Sequence, residues 1–88
     1  MDSITQIGLG SLVAAAATIA IGTIAPAIAQ ARAISRALGA IAQQPDEAST
    51  ITRTLFVGLA MIESLAIYVL VVALIILFRN PLLEYLLK

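Results

Sequence analysis

The chain has no cysteine, no histidine and no tryptophan among its 88 residues. Without cysteine it cannot form disulfides or use a thiolate, and without cysteine and histidine it lacks the usual ligands of soft metal ions. Catalysis by a cysteine nucleophile or a histidine base is excluded for the same reason. Carboxylates, amides and hydroxyls are the groups left for chemistry.

Charge is also scarce. Charged residues make up 11% of the chain, against about 25% in a soluble domain. Five basic and five acidic residues cancel, so there is no basic patch and no nucleic-acid partner is expected. In contrast, 61% of the residues are hydrophobic and the mean hydropathy is +1.07. A soluble fold of this size could not bury so much apolar surface, and we predict an all-α membrane protein.

The charges that are present divide the chain into two long apolar segments. The first, residues 3–31, carries no charge, and the second, residues 54–78, carries only Glu63. Each is longer than the roughly 20 residues that a bilayer requires. A polar run at residues 43–50 separates them. We therefore predict a single domain over residues 1–88, folded as a two-transmembrane-helix hairpin.

The predicted elements of the hairpin are a first helix over about 4–41, a polar loop over about 42–47 and a second helix over about 47–78. Asn80 and Pro81 end the second helix and leave a short C-terminal tail. Pro26 predicts a local bend in the first helix, because proline has no backbone N–H to donate.

Five basic residues indicate the orientation, three on the loop side and two on the far side: Arg32, Arg36 and Arg53, then Arg79 and Lys88. The positive-inside rule places the loop in the cytoplasm and both termini outside. We do not expect a secretory signal peptide, because such a segment begins with a basic region and the charge that precedes Arg32 is Asp2.

Glu63 is the most informative residue. A carboxylate inside hydrocarbon costs roughly 2.5–3.5 kcal/mol on insertion scales, and a group that costly usually carries or relays an ion. The alternative is a structural carboxyl that hydrogen-bonds a neighbouring helix.

Other polar residues are expected beside this carboxyl. The midpoint between positions 30 and 63 falls within the polar turn, so an antiparallel hairpin places Gln30 level with Glu63. Both lie roughly 25 Å from the turn at 1.5 Å per residue. Ser64 follows directly and Tyr68 lies a little over one turn further on. These four side chains can surround one small cation or hold one protonated carboxyl. A series of such sites, moved past a fixed positive group, would carry ions across one at a time.

Small residues alternate along the first helix and form two nearly opposite stripes: Thr23, Ala27 and Ala31, then Ala25 and Ala29. Each stripe has the small-xxx-small spacing that lets helices approach closely. Close neighbours on two opposite sides are what a closed ring of identical helices requires. The alternative is that alanine is simply a favourable residue in any membrane helix.

Together these features resemble the membrane rotor proteolipid, or c subunit, of rotary F-type (or F-like, N-type) ATP synthases. The resemblance covers nearly the whole chain and rests on several motifs together: the small-residue helix, Gln30, the turn with Gln44-Pro45, the stretch from Glu63-Ser64 to Tyr68, the Val-Val-Ala-Leu run after it, and Asn80-Pro81. It implies a homo-oligomeric ring with Glu63 as the ion-carrying carboxylate.

The resemblance also implies partners and a location. The stator protein of the membrane sector, the family's a subunit, would supply the arginine that displaces the ion. Central stalk subunits would contact the loop at Gln43, Gln44 and Pro45. The ring would sit among lipids of a bacterial inner (plasma) membrane and couple ion flow to ATP synthesis or hydrolysis. No catalytic site and no cofactor are expected in this chain.

Two departures from the family pattern indicate a divergent member. The family's loop usually reads Arg-Gln-Pro, whereas here Gln43 precedes Gln44 and Pro45, with Arg36 or Arg53 as the nearby charges. The family's first helix usually has glycines where this chain has mostly alanines. Because alanine keeps adjacent helices farther apart than glycine, we expect a large copy number.

The carried ion is expected to be H⁺, with Na⁺ as the alternative. A sodium site would use Glu63, the Gln30 amide, the Ser64 hydroxyl and the backbone carbonyl of Met61, with Tyr68 orienting the carboxylate. Ser64 resembles sodium-binding members of the family. Leu65, however, stands where such members often have a threonine. No other metal site is expected.

The alternative from a different class of function is a small multidrug-type antiporter or a purely structural membrane hairpin. Small multidrug transporters use an intramembrane glutamate too, but they need about four spans and an aromatic pocket. This chain offers two spans, with two tyrosines and two phenylalanines. A structural hairpin would not need Gln30 level with Glu63.

Overall fold

The structure, a computed structural model, describes residues 2–79 and Tyr85. The described part is helical almost throughout, with α1 at Ser3–Gly22, α2 at Ile24–Gln43, a 3₁₀ turn at Pro45–Glu47 and α3 at Ala48–Phe78. The expected all-α fold is confirmed. The predicted helix stop at Asn80-Pro81 and the C-terminal tail lie outside the described residues.

Asp2 begins α1. Its backbone is extended and its side-chain Oδ1 accepts a hydrogen bond from the Thr5 N–H at 2.7 Å. An aspartate here satisfies one of the unpaired N–H groups of the first turn and places negative charge at the positive end of the helix dipole. The hydrogen bonds from Thr5, first from its backbone and then from its side chain, lower the pKa of Asp2 below the ordinary value of 3.8.

The predicted first helix is interrupted at Thr23. Instead of one helix over about 4–41, α1 ends at Gly22 and α2 begins at Ile24. The Thr23 N–H and hydroxyl both donate to the Ile19 carbonyl, at 3.3 and 2.7 Å. Pro26, in the first turn of α2, cannot close the helical hydrogen bond four residues back, which explains an interruption at this point of the sequence.

The polar loop is shorter than expected, because only Gln44 lies outside a helix between Ile24 and Phe78. The Gln44 N–H donates to Ala40 and the Glu47 N–H donates to Gln44. Pro45 is the first residue of the 3₁₀ turn, where its missing N–H costs no hydrogen bond. The turn therefore connects two membrane-length segments with few unpaired backbone groups.

The chain divides into two compact units, and the first contains Met1–Thr23 and Ile67–Lys88. Within its described residues, α1 packs against the end of α3. Ala15 and Ala73 are the buried positions of this contact. A Cβ built on Gly22 would lie 2.6 Å from a Val69 methyl, so the two helices approach closely because residue 22 has no side chain.

The second unit, Ile24–Ala66, is an antiparallel helical hairpin formed by α2, the 3₁₀ turn and the start of α3. On α2 the less exposed positions are Pro26, Gln30, Ala33, Ala37, Ala40 and Ile41. Each lies three or four residues from another of the set, so together they define a single helix face. That face meets α3, which fixes the side of α2 from which Gln30 projects.

The single chain buries little of its apolar surface. Among the described residues only Ala15, Pro26 and Ala73 are buried, while Val13, Ile21 and Phe78 are each at least 69% exposed. Two segments are long and apolar enough to span a membrane, Ser3–Gln43 and Pro45–Phe78, and an 18-residue stretch within each has a mean hydropathy of 2.1 and 2.7, respectively. Exposed apolar surface of this extent requires lipid or other chains to cover it.

Candidate functional site

The second unit brings together two candidate residues that lie 33 positions apart in sequence. Gln30 Nε2 donates a hydrogen bond to Glu63 Oε2 at 2.7 Å. The expectation that these residues lie at the same depth in the hairpin is confirmed. The Gln30 amide oxygen and Glu63 Oε1 are left to bind a further ligand.

The helix positions explain this geometry. Gln30 belongs to the α2 face that meets α3, and it is half-buried there. Glu63 follows Ile62, which packs toward α2, so the carboxylate stands at the edge of the contact and stays exposed. The Gln30 side chain therefore extends outward from the contact between α2 and α3, and its hydrogen bond to Glu63 lies at the edge of that contact.

Ser64 adds an oriented hydroxyl. Its Oγ donates to the Ala60 carbonyl at 2.8 Å, the i−4 bond that serine commonly makes within a helix. With its proton committed to that carbonyl, the hydroxyl presents its remaining lone pairs as acceptors. The role of Ala60 was not foreseen, although a serine inside a helix is itself a signal for such a bond.

Two further candidate residues are exposed. Met61 is 69% exposed in the second unit, and Tyr68 is 71% exposed in the first. Since Tyr68 belongs to the other unit, the expectation that it orients the Glu63 carboxylate stays a prediction. The same holds for a contribution from the Met61 carbonyl.

A shallow apolar groove of about 370 Å³ lies in the same unit as the carboxylate, on the side toward the turn. Its lining combines small and branched residues from both helices: Ala33, Ala37, Thr50, Ile51, Thr54, Leu55, Gly58, Leu59 and Ile62. Within residues 2–79 and Tyr85 no three acidic residues cluster in a way that could hold a metal ion.

The candidate packing residues lie away from the contact with α3. Ala25, Ala27, Ala29 and Ala31 are all exposed, and Thr23, in the other unit, binds Ile19 through its hydroxyl. The four alanines are thus available to a neighbouring helix from outside the chain, which is the condition that close packing between copies requires.

The loop residues Gln43, Gln44 and Pro45 are exposed, as are Asp46 and Glu47. Their backbone is fixed by the turn hydrogen bonds and by proline, so the side chains are presented from a constrained segment. Such a surface is suited to a specific protein contact.

Comparison with known proteins connects this geometry to a family. The family model for the C subunit of ATP synthase matches residues 13–76. ATP synthase subunit c 2 of Cereibacter sphaeroides is 53% identical over 73 residues, which cover 83% of this chain and 88% of that protein.

Two other relatives agree with this match. ATP synthase subunit c 1 of Pelobacter propionicus is 57% identical over 67 residues, which cover 76% of this chain and 74% of that protein. The ATP synthase c subunit of Prochlorococcus marinus strain AS9601 is 46% identical over 81 residues, covering 92% and 98%. The chain belongs to the family of ATP synthase C subunits.

Proposed function

We propose that the chain is a rotor component of the membrane sector of a rotary ATP synthase and that Glu63 carries the transported ion. The observation that supports this most directly is the Gln30–Glu63 hydrogen bond within a segment that is otherwise uncharged from Thr54 to Phe78. A lone carboxyl with one neutral donor can be ionised or neutral without disrupting a salt bridge, which is what reversible binding requires.

The transport step follows from the cost of charge in hydrocarbon. When Glu63 holds a proton or a cation it is neutral and can face lipid. Once the ion is released, the carboxylate needs a positive partner or water. An arginine on the stator protein would supply that partner, so that each copy loads an ion on one side of the membrane and releases it on the other.

Three features of the single chain support a ring of copies. Glu63 is exposed, the groove at Ala33, Ala37 and Gly58 is open, and the alanines at 25–31 face away from α3. Small residues on the outer flanks of α2 allow identical helices to pack on both sides. The ring would also bury part of the large apolar surface that the single chain exposes.

The turn would contact the central stalk. Gln43, Gln44 and Pro45 are exposed on a constrained segment, and the two carboxylates that follow them, Asp46 and Glu47, are exposed as well. With the loop in the cytoplasm of a bacterial cell and both termini outside, the turn would face the stalk and the catalytic sector.

The carried ion is proposed to be H⁺. Within the second unit the oxygens near Glu63 are those of the Gln30 amide and, one residue along the chain, the Ser64 hydroxyl. A sodium ion needs about five or six oxygen ligands, by analogy with other hard cations, and this set is smaller. A single carboxyl in apolar surroundings binds a proton without further ligands.

The experiment replaces the carboxyl by its isosteric amide, Glu63→Gln, in the complete ATP synthase. We expect an assembled rotor with no ion transport, because the amide cannot release a charge. Labelling by a carbodiimide, which attacks protonated carboxyls in apolar surroundings, should also be lost. Glu47→Gln is the matched control, since the same change in the exposed turn should leave both transport and labelling intact. Transport that persists in Glu63→Gln would refute the proposal.

A further inference from the structure

A shallow surface concavity lies beside Arg53 at the start of α3. It has a volume of about 460 Å³, and all of its lining residues belong to α3: Ala48, Ser49, Thr52, Arg53 and Phe56. At 100° per residue these positions are centred about 110° around the helix axis from the side of α3 that packs against α2. The concavity therefore opens on one flank of the hairpin, where a neighbouring molecule can reach it.

The Arg53 guanidinium is held toward the turn. Its Nη2 donates a hydrogen bond to Ser49 Oγ at 3.0 Å, four residues nearer the start of α3. That bond brings the positive charge to within roughly 3 Å, measured along the helix axis, of the level of Glu47. Arg53 is exposed, and within residues 2–79 and Tyr85 it has no acidic partner. Its remaining N–H groups are available to an acceptor from outside the chain.

The Glu47 carboxylate lies on the opposite flank. Glu47 directly precedes Ala48, the first residue of α3, and its position is about 170° around the axis from the centre of the concavity. Glu47 is exposed, and no basic side chain of the described residues pairs with it. A guanidinium and a carboxylate on opposite flanks cannot meet within one chain. They are complementary between two chains that stand side by side in the same orientation.

We infer that Arg53 of one copy forms an ion pair with Glu47 of the next copy, in the concavity beside Ser49. This inference rests on the proposed ring, because hairpins arranged in a ring contact their neighbours through their two flanks. Every copy supplies a guanidinium to one neighbour and a carboxylate to the other. Such a head-to-tail contact is the type of interface that closes into a ring, and the site is incomplete without the second copy.

The pair sets the height of adjacent copies and does not decide whether they assemble. An ion pair near water stabilises only weakly, so a ring that lacks either side chain should still form. Sliding one copy along its neighbour separates the two charges, however, so the pair favours copies that stand level. Repeated around the ring, it holds the turns in one plane, where a stalk meets each of them at the same height.

The test treats the complete ATP synthase carrying Arg53→Lys with a water-soluble carbodiimide, which joins an amine and a carboxylate in contact as an amide without a spacer. The sequence has one lysine, Lys88 at its last position, so the variant adds a single amine near the turn. We expect a ladder of covalent oligomers of the chain, on the order of tenfold above the wild type, because groups held in contact react as if in one molecule. Mass spectrometry should map the link to positions 53 and 47.

Arg36→Lys is the matched control, because Arg36 is also exposed but lies on α2. It should give oligomers only at the wild-type level, and an equal ladder would overturn the inference by showing that any amine near the turn reacts. The variant Arg53→Lys/Glu47→Gln should lose the ladder, and a ladder that persists there would refute the pair. The charge-reversed variant Arg53→Glu/Glu47→Lys should restore the ladder, and it provides the same test if Arg53→Lys does not assemble.

The mapped link also identifies a wrong partner. A link to Asp46 of the same chain, seen as a monomer lighter by one water, would overturn the inference in favour of a pair within one hairpin. A link from position 53 to a stalk or stator protein would overturn it as well. A closed ring without the ladder refutes this inference alone, whereas the absence of a ring refutes the proposed function.

Discussion

Gln30 and Glu63 are joined by a hydrogen bond of 2.7 Å although 33 residues separate them in sequence. The bond runs from a neutral amide to a carboxyl in a segment that has no other charge. This hydrogen bond aligns α2 with the first part of α3, and it gives the Glu63 carboxyl a neutral hydrogen-bond donor, the Gln30 amide.

Removing that donor should change the chemistry of Glu63. In Gln30→Leu the Glu63 carboxyl loses its hydrogen-bond donor on α2, a bond worth about 1.5–3 kcal/mol if the acceptor is charged, so the carboxyl is no longer held in place and is freer to react. We expect carbodiimide labelling at a fixed neutral pH to be roughly tenfold faster. Gln6→Leu, the same change in α1, should label like the wild type. Slower labelling in Gln30→Leu would show that the amide does not hold the carboxyl in place.

The contact between Gly22 and Val69 should be sensitive to a single methyl group. Gly22→Ala places a Cβ 2.6 Å from a Val69 methyl, and overpacking of this kind costs about 1–3 kcal/mol. Val69→Ala in the same chain should restore most of the loss. The free energy of unfolding, followed by titration with a denaturing detergent, measures both effects.

The control for this pair is Gly10→Ala in the same helix, where nothing lies within 4 Å of the added methyl. Gly10→Ala should leave the free energy of unfolding unchanged or raise it slightly, because alanine has a higher helix propensity than glycine. Equal destabilisation at positions 10 and 22 would show that backbone effects, and not the approach to Val69, control the result.

The ion should be identified by competition for Glu63. If the ion is H⁺, labelling by a carbodiimide depends on pH alone and is the same with and without millimolar sodium. Ser64→Ala should then leave the labelling profile nearly unchanged. Protection by sodium at neutral pH, lost in Ser64→Ala, would instead identify a sodium site that uses the serine hydroxyl.

The ring is expected to be large. The exposed alanines at positions 25, 27, 29 and 31 hold adjacent inner helices farther apart than glycines would, and wider spacing favours at least about 13 copies. Counting the copies in projection images of the purified ring gives the answer directly. A ring of about ten or fewer copies would refute the argument from helix spacing.

The start of α1 should depend on pH through Asp2. Because the hydrogen bonds from Thr5 lower the pKa of this carboxyl below its ordinary value of 3.8, its stabilising effect is complete above that value. The effect is lost as the pH falls through the lowered pKa. Hydrogen exchange at the Thr5 amide should accelerate over that acid range.

Two variants separate the hydrogen bond of Asp2 from its charge. Asp2→Asn keeps a capping acceptor, so the Thr5 amide should stay protected with no pH dependence in this range. Asp2→Ala should leave the amide exposed to exchange at every pH. Acid-dependent exchange that persists in Asp2→Asn would assign the effect to another group.

The helical fold and the contact between Gln30 and Glu63 could be predicted from the sequence, because a span in lipid must satisfy its backbone hydrogen bonds internally. Two apolar segments around one polar run predicted the hairpin and its turn, and equal distances to that turn predicted the pairing of Gln30 with Glu63. The interruption at Thr23 was harder to predict. Pro26 indicates a disturbance, but the residue where the helix breaks depends on which carbonyl accepts the Thr23 hydroxyl.

Other features depend on contacts that have no signature in a single sequence. Gly22 looks like any other glycine in an apolar helix until Val69 is found beside it. The Ser64 bond to the Ala60 carbonyl is local and could be anticipated, but its effect on the hydroxyl lone pairs depends on the rotamer. The placement of Tyr68 and Met61 around the carboxyl, and the roles of the loop glutamines, stay predictions.

The approach of Gly22 to Val69 also has a consequence for how this sequence can change over evolutionary time. A methyl group at position 22 would press against Val69, so it is accommodated more easily when the side chain at position 69 is smaller. Among descendants of this chain, the residues at these two positions should therefore vary together, with the smaller side chain alternating between the two helices.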